Sequence, residues 1–115
     1  MSVSIKGENM KICVSAMGGS MEAKVSERFG RAPYLVIVES DDMSFIPVLN
    51  AAVSMQGGAG PEAVRQAADN GATVVLTGEL GGNAKTAIEA AGIKGVTGVS
   101  GEKTVRQAVE EYLKK

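Results

Sequence analysis

Short apolar runs that each stop at a glycine cluster are the strongest constraint on what this chain can fold into. Lys11-Ile-Cys-Val-Ser-Ala16 ends at Gly18-Gly19, Thr73-Val-Val-Leu-Thr77 ends at Gly78, and the run from Ile93 to Thr97 ends at Gly98. Runs this short and this rich in β-branched residues suit buried strands rather than helices. Tyr34 to Glu39 is another such run. The turn residues Asp41-Asp42 then lead into Ser44-Phe-Ile-Pro-Val-Leu49, so these two runs are predicted to form an antiparallel hairpin. Pro47 cannot donate to a ladder, which assigns the third strand to a sheet edge. Between and after the later strands, apolar residues recur at helical spacing. Val64, Ala67 and Ala68 mark a helix entered at Pro61 and stopped at Gly71. Ala84, Ala87, Ile88 and Ala91 mark one that starts from Asn83 and stops at Gly92. Val105, Ala108, Val109, Tyr112 and Leu113 mark a third, which Thr104 and Gln107 begin as a capping box. The order β-β-β-α-β-α-β-α predicts an α/β domain: a mixed five-stranded sheet with an antiparallel hairpin edge, and with strands four and five as parallel neighbours.

Bulk properties narrow the class. A chain of 115 residues fits one domain, expected over residues 10–115, with residues 1–9 read as a disordered extension. Lys and Arg number 12 against 13 Asp and Glu, so no positive field exists to gather nucleic-acid phosphates or an anionic membrane surface. No apolar run approaches the ~20 residues that span a bilayer. The single cysteine, Cys13, excludes an internal disulfide framework and points to a cytoplasmic setting. Its place within an apolar strand makes it a buried side chain rather than a ligand.

In open sheets of this kind, ligands sit outside the carboxyl ends of the parallel strands. Here that means the glycine-rich loops, and the ligand face is expected from residues 17–24, 26–32, 55–60 and 78–83. Main-chain amides of Gly57, Gly58, Gly78 and Gly82, ahead of two helices, can cradle an anion. Arg31 and Arg28 flank Phe29-Gly30 and can pair with an anionic group. Met17, next to Gly18 and Gly19, and Met55 offer thioethers suited to soft centres, although methionine also fills gaps in cores. Ser26 and Asn83 are polar contacts or simple caps. No catalytic residue and no metal ligand is assigned: the chain has no histidine, and the few acids near strand ends, Glu39 and Glu79, make a poor two-metal nuclease site.

Val25-Ser-Glu-Arg-Phe-Gly-Arg-Ala-Pro-Tyr34, followed by Gly57-Gly-Ala-Gly60, Val74-Val-Leu-Thr-Gly78, Gly82-Asn-Ala84 and Ala90-Ala-Gly-Ile93, resembles the dinitrogenase iron–molybdenum cofactor biosynthesis family from about Met10 to the C-terminus. The resemblance implies a ribonuclease H-like sheet, binding or carriage of a metal–sulfur cluster or cofactor precursor, and a cofactor donor or acceptor protein as partner. Two departures matter. Arg28 stands where cluster-carrying members often have a histidine, and Gly81-Gly82-Asn83-Ala84 stands where many relatives read Gly-Pro-Asn-Ala. The expected function is therefore non-covalent binding of an anionic metal–sulfur cluster, containing iron or molybdenum, by a protein that is not an enzyme. The alternatives are an interaction or regulatory module of the same fold without cofactor and, least favoured, a ribonuclease H-like nuclease.

Overall fold

The computed structural model describes residues 10–114. The extension expected at 1–9 lies outside them. Five strands form one sheet: β1 (Lys11–Ala16), β2 (Tyr34–Glu39), β3 (Phe45–Leu49), β4 (Val74–Leu76) and β5 (Lys94–Val96), in the order β3-β2-β1-β4-β5. β1 pairs antiparallel with β2 and parallel with β4, and β4 pairs parallel with β5, so the sheet is mixed as its sequence pattern requires. Helices α1 (Ala59–Asp69), α2 (Gly82–Ala91) and α3 (Val105–Leu113) complete the β-β-β-α-β-α-β-α order. Pro47 lies in β3, the outer strand of the hairpin half.

Strand alternation builds two cores. On one face Cys13, Leu35, Ile37 and Val75 meet Ala63, Ala67, Ala84 and Ile88 of α1 and α2. On the other, Ile12, Val14, Val36, Val38 and Leu76 meet Val105, Ala108 and Val109 of α3. The Thr104–Gln107 capping box is present at the start of α3. Gly71 and Gly92 follow α1 and α2 at φ 83° and 73°, the left-handed region that lets the chain turn back into a strand without a Cβ clash.

The helix starts differ from the expectation. α1 begins at Ala59, two residues before Pro61, which sits in the first turn. There its missing N–H removes no helical hydrogen bond, so proline is tolerated at this third position as well as at the first. α2 is flanked by Gly81 rather than capped at Asn83, which lies inside the first turn. β3, β4 and β5 are each shorter than their apolar runs, since Ser44, Thr73, Thr77, Ile93 and Thr97 fall outside the ladders. Two short 3-10 turns, Phe29–Arg31 and Ala51–Ser54, were not anticipated.

The strand order reverses at β1, which has the hairpin on one side and the parallel strands on the other. The crevice at the carboxyl ends of β1 and β4 is therefore the topological switch point. The segment carrying Phe29–Arg31 returns from β1 to this end, where the bridge Arg28↔Glu79 joins it to the chain leaving β4.

Candidate functional site

A cavity of about 380 Å³ opens at this end. Its walls come from three chain segments: Arg28–Arg31, Gln56–Pro61 and Glu79–Ala84. Phe29, only 1% exposed, belongs at once to the cavity lining and to the core under α1 and α2.

Both α1 and α2 begin at this cavity, and neither start carries a side-chain cap. The flanking residues explain why: Gly58 and Gly81 have no side chain to offer. The amides of Ala59, Gly60, Gly82, Asn83 and Ala84 precede the first intrahelical bonds, Glu62 N to Gly58 O and Lys85 N to Gly81 O. Two positive dipole ends thus converge on one cavity, and all five of these residues lie in its lining.

Glycines hold the helix starts together. A Cβ on Gly60 would lie 2.8 Å from Ala84 Cβ, and one on Gly30 would lie 3.1 Å from Gly60 N. The Phe29–Arg31 turn, α1 and α2 therefore pack through backbone. Gly57, Gly81 and Gly82 are different, because a Cβ on any of them meets nothing within 4 Å, and none has a positive φ. Packing does not require these three.

The charged groups at the rim are Arg28, Arg31 and Glu79. Arg28 Nε lies 3.9 Å from Glu79 Oε2, and both side chains are 71% exposed, so this pair is loose and well solvated. Arg31 Nη1 donates to two carbonyls, Val53 O at 3.2 Å and Met55 O at 2.7 Å. Beneath these segments Asn50 and Gln66 form a buried polar brace. Asn50 Nδ2 donates to Ala32 O, and its Oδ1 accepts from Ala52 N and from Gln66 Nε2. Gln66 Oε1 in turn accepts from Ala51 N.

Of the residues singled out from sequence, the structure brings Arg31, Phe29, Gly30, Gly57, Gly58, Gly82 and Asn83 to this cavity. It leaves out Met17, Gly18, Gly19, Ser26 and Gly78. Met17 is exposed beyond the end of β1, and Gly19 packs against Tyr34 and Pro47. Ser26 is buried, with its amide donating to Ser15 O and its carbonyl accepting from Ser15 Oγ at 2.6 Å. Gly78 allows close approach of the chain at Glu27, whose carbonyl oxygen a Cβ would meet at 2.6 Å. Gly60 and Gly81 fall within the loops expected to form the ligand face, although they were not singled out, and sequence reasoning passed over the Asn50–Gln66 brace. An asparagine just before Ala51-Ala52 was the available signal for the last.

Glu79 is the one carboxylate among the residues lining the cavity, which include no cysteine. Among the described residues no three His, Cys, Asp or Glu side chains cluster. Cys13 is fully buried, and burial pushes its thiol from 9.0 up to about 12, which keeps it protonated and unreactive. None of the described helices is long and apolar enough to cross a membrane.

The family model described as dinitrogenase iron-molybdenum cofactor matches residues 10–115. The chain belongs to this family. Among solved structures, it is similar to the apo form of the orange protein from Desulfovibrio gigas, with 40% identity, a TM-score of 0.87, and coverage of 92% of this chain and 88% of that one. It is also similar to a NifB-like protein of the DUF35 family from Thermotoga, with 26% identity, a TM-score of 0.78, and coverage of 91% and 88%. No curated protein matches the sequence. Family and fold support a role in binding or biosynthesis of an iron–molybdenum cofactor or related metal cluster.

Proposed function

We propose that the cavity between the two helix starts receives a compact anionic metal–sulfur cluster or cofactor precursor as cargo, holds it without covalent bonds, and releases it to a protein partner. The observation that carries this reading is the convergence of two uncapped helix starts on one cavity, with open glycines at its rim and two arginines beside it. A cluster whose metals are already saturated by sulfide needs no protein thiolate or imidazole; it needs donors for its sulfur atoms and positive potential for its charge. The five amides supply the first, and Arg28, Arg31 and the helix dipoles supply the second. Such a protein binds and transfers but performs no bond-making of its own.

The test is anaerobic titration with a thiomolybdate salt, followed by visible absorption and by amide shifts in the NMR spectrum. Saturable binding is expected, with shifts centred on residues 57–60 and 81–84, and weakening as salt rises. Absence of binding, or shifts spread evenly over the surface, would refute the proposal. A second reading, an interaction module without cofactor, is favoured by the apolar exposure of β3, where Ile46 is 59% and Leu49 is 70% exposed. It predicts that thiomolybdate leaves the 57–60 and 81–84 amides unmoved.

A further inference from the structure

We propose that Arg31 is a positioning residue: beyond lending its charge, its guanidinium latches the segment 53–57 and thereby sets the glycine wall of the cavity. One nitrogen, Nη1, donates to both Val53 O and Met55 O, and these carbonyls bracket the end of the Ala51–Ser54 turn. Immediately beyond lie Gly57 and Gly58, the first with nothing packed around it and the second at φ 74°. The segment has few other holds. Its own bonds are Val53 N to Asn50 O and Met55 N to Ala52 O, while Val53 and Met55 expose 41% and 36% of their surface. Arg31 is itself fixed at its base, since its amide donates to Arg28 O and its turn is packed through Gly30 on Gly60. The latch therefore joins the segment to the rigid part of the site. The two hydrogens of this one nitrogen are held at a fixed angle in the guanidinium plane, whereas an ammonium on a flexible stem carries the same charge without that fixed direction.

The binding arm of the test rests on the function proposed above; the exchange arm does not. Arg31→Lys and Arg31→Ala are compared with wild type and with Arg65→Lys, a control on the outer face of α1, where Arg65 pairs with Glu62 and Asp69. Without any anion, hydrogen exchange at Val53 and Met55 is expected to quicken at least tenfold in both Arg31 variants. Exchange at Cys13 and Val75 in the sheet, which also reports whether each variant is folded, is expected to stay unchanged. With thiomolybdate, both Arg31 variants are expected to bind about tenfold more weakly, with lysine giving no rescue, while Arg65→Lys binds as wild type does. Wild-type exchange at Val53 and Met55 in Arg31→Lys, or restoration of affinity by lysine, overturns the latch and returns Arg31 to a simple charge. If wild type binds no thiomolybdate, the proposed function fails, and the exchange arm still decides the latch. If Arg31→Ala does not fold, Arg31→Lys carries both arms.

Discussion

Gly60→Ala and Gly82→Ala add the same methyl group to the first turns of neighbouring helices, yet the structure predicts opposite consequences. At Gly82 the new Cβ meets nothing within 4 Å, and the residue is already helical. Replacing glycine by alanine then removes backbone entropy from the unfolded chain and raises stability, by up to about 1 kcal/mol. At Gly60 the same entropic gain is opposed by a contact of 2.8 Å with Ala84 Cβ. Relieving it requires α1 and α2 to separate, and overpacking of this kind costs about 1–3 kcal/mol, so a net loss of up to about 2 kcal/mol is expected. Binding should not follow stability. A Cβ is tilted toward the start of its helix, so the methyl at Gly82 enters the cavity mouth. Thiomolybdate affinity should fall about tenfold, equivalent to ~1.4 kcal/mol, in the more stable variant. Urea melts give the first quantity and anaerobic titration the second. If Gly82→Ala bound as tightly as wild type, the cargo would not sit against this rim. If Gly60→Ala melted as wild type does, the close approach of the two helices would not be the reason for glycine there.

Three further outcomes test the framework around the site. Cys13→Val should gain on wild type as pH rises: the unfolded thiol ionises near its ordinary 9.0 while the buried one stays neutral to about 12, so folding loses stability through that window. Linkage makes the relative gain about 1.4 kcal/mol between pH 8 and 10, measured by paired urea melts, and a difference independent of pH would contradict the burial argument. Thr104→Ala removes the side chain that accepts from Gln107 N at the start of α3 and should cost about 1 kcal/mol by the same melts, with anion binding unchanged. Ser15→Ala leaves the buried Ser26 carbonyl and Thr77 hydroxyl without a shared partner and should cost about 1–3 kcal/mol, an effect Ser15→Thr would not reproduce if the hydrogen bonds alone decide it.

The sheet was legible because its signals are local and redundant. Each strand is an apolar run with a glycine or turn stop, and Pro47 marks an edge whatever the partner. The helix starts were less legible. Pro61 and Asn83 are ordinary start signals, but α1 and α2 begin earlier, at residues flanked by Gly58 and Gly81, which offer no side chain to cap with. That lack of a cap is what leaves donors free at the cavity, so the feature most relevant to function is one that start signals are unable to report.

The glycines divide in a way that sequence does not reveal. Gly18, Gly19, Gly57, Gly58, Gly78 and Gly82 read alike as flexible loop residues near the expected ligand face. In space, Gly78 and Gly60 are forced by contacts under 3 Å, Gly58 by its positive φ, and only Gly57, Gly81 and Gly82 stand without a packing reason. These last three lie in the cavity lining beside the two helix starts, while Gly19 packs on the hairpin half at Tyr34 and Pro47. The switch point explains the split. The loop leaving β1 first crosses toward β2, where Gly19 meets Tyr34, and only its return through Ser26 to Arg31 reaches the crevice beside β4. The residues that follow a strand directly are therefore not those that line the ligand end. The site is instead assembled where that return segment meets the starts of α1 and α2, and its glycines without a packing role are the positions at which alanine should separate cargo binding from folding.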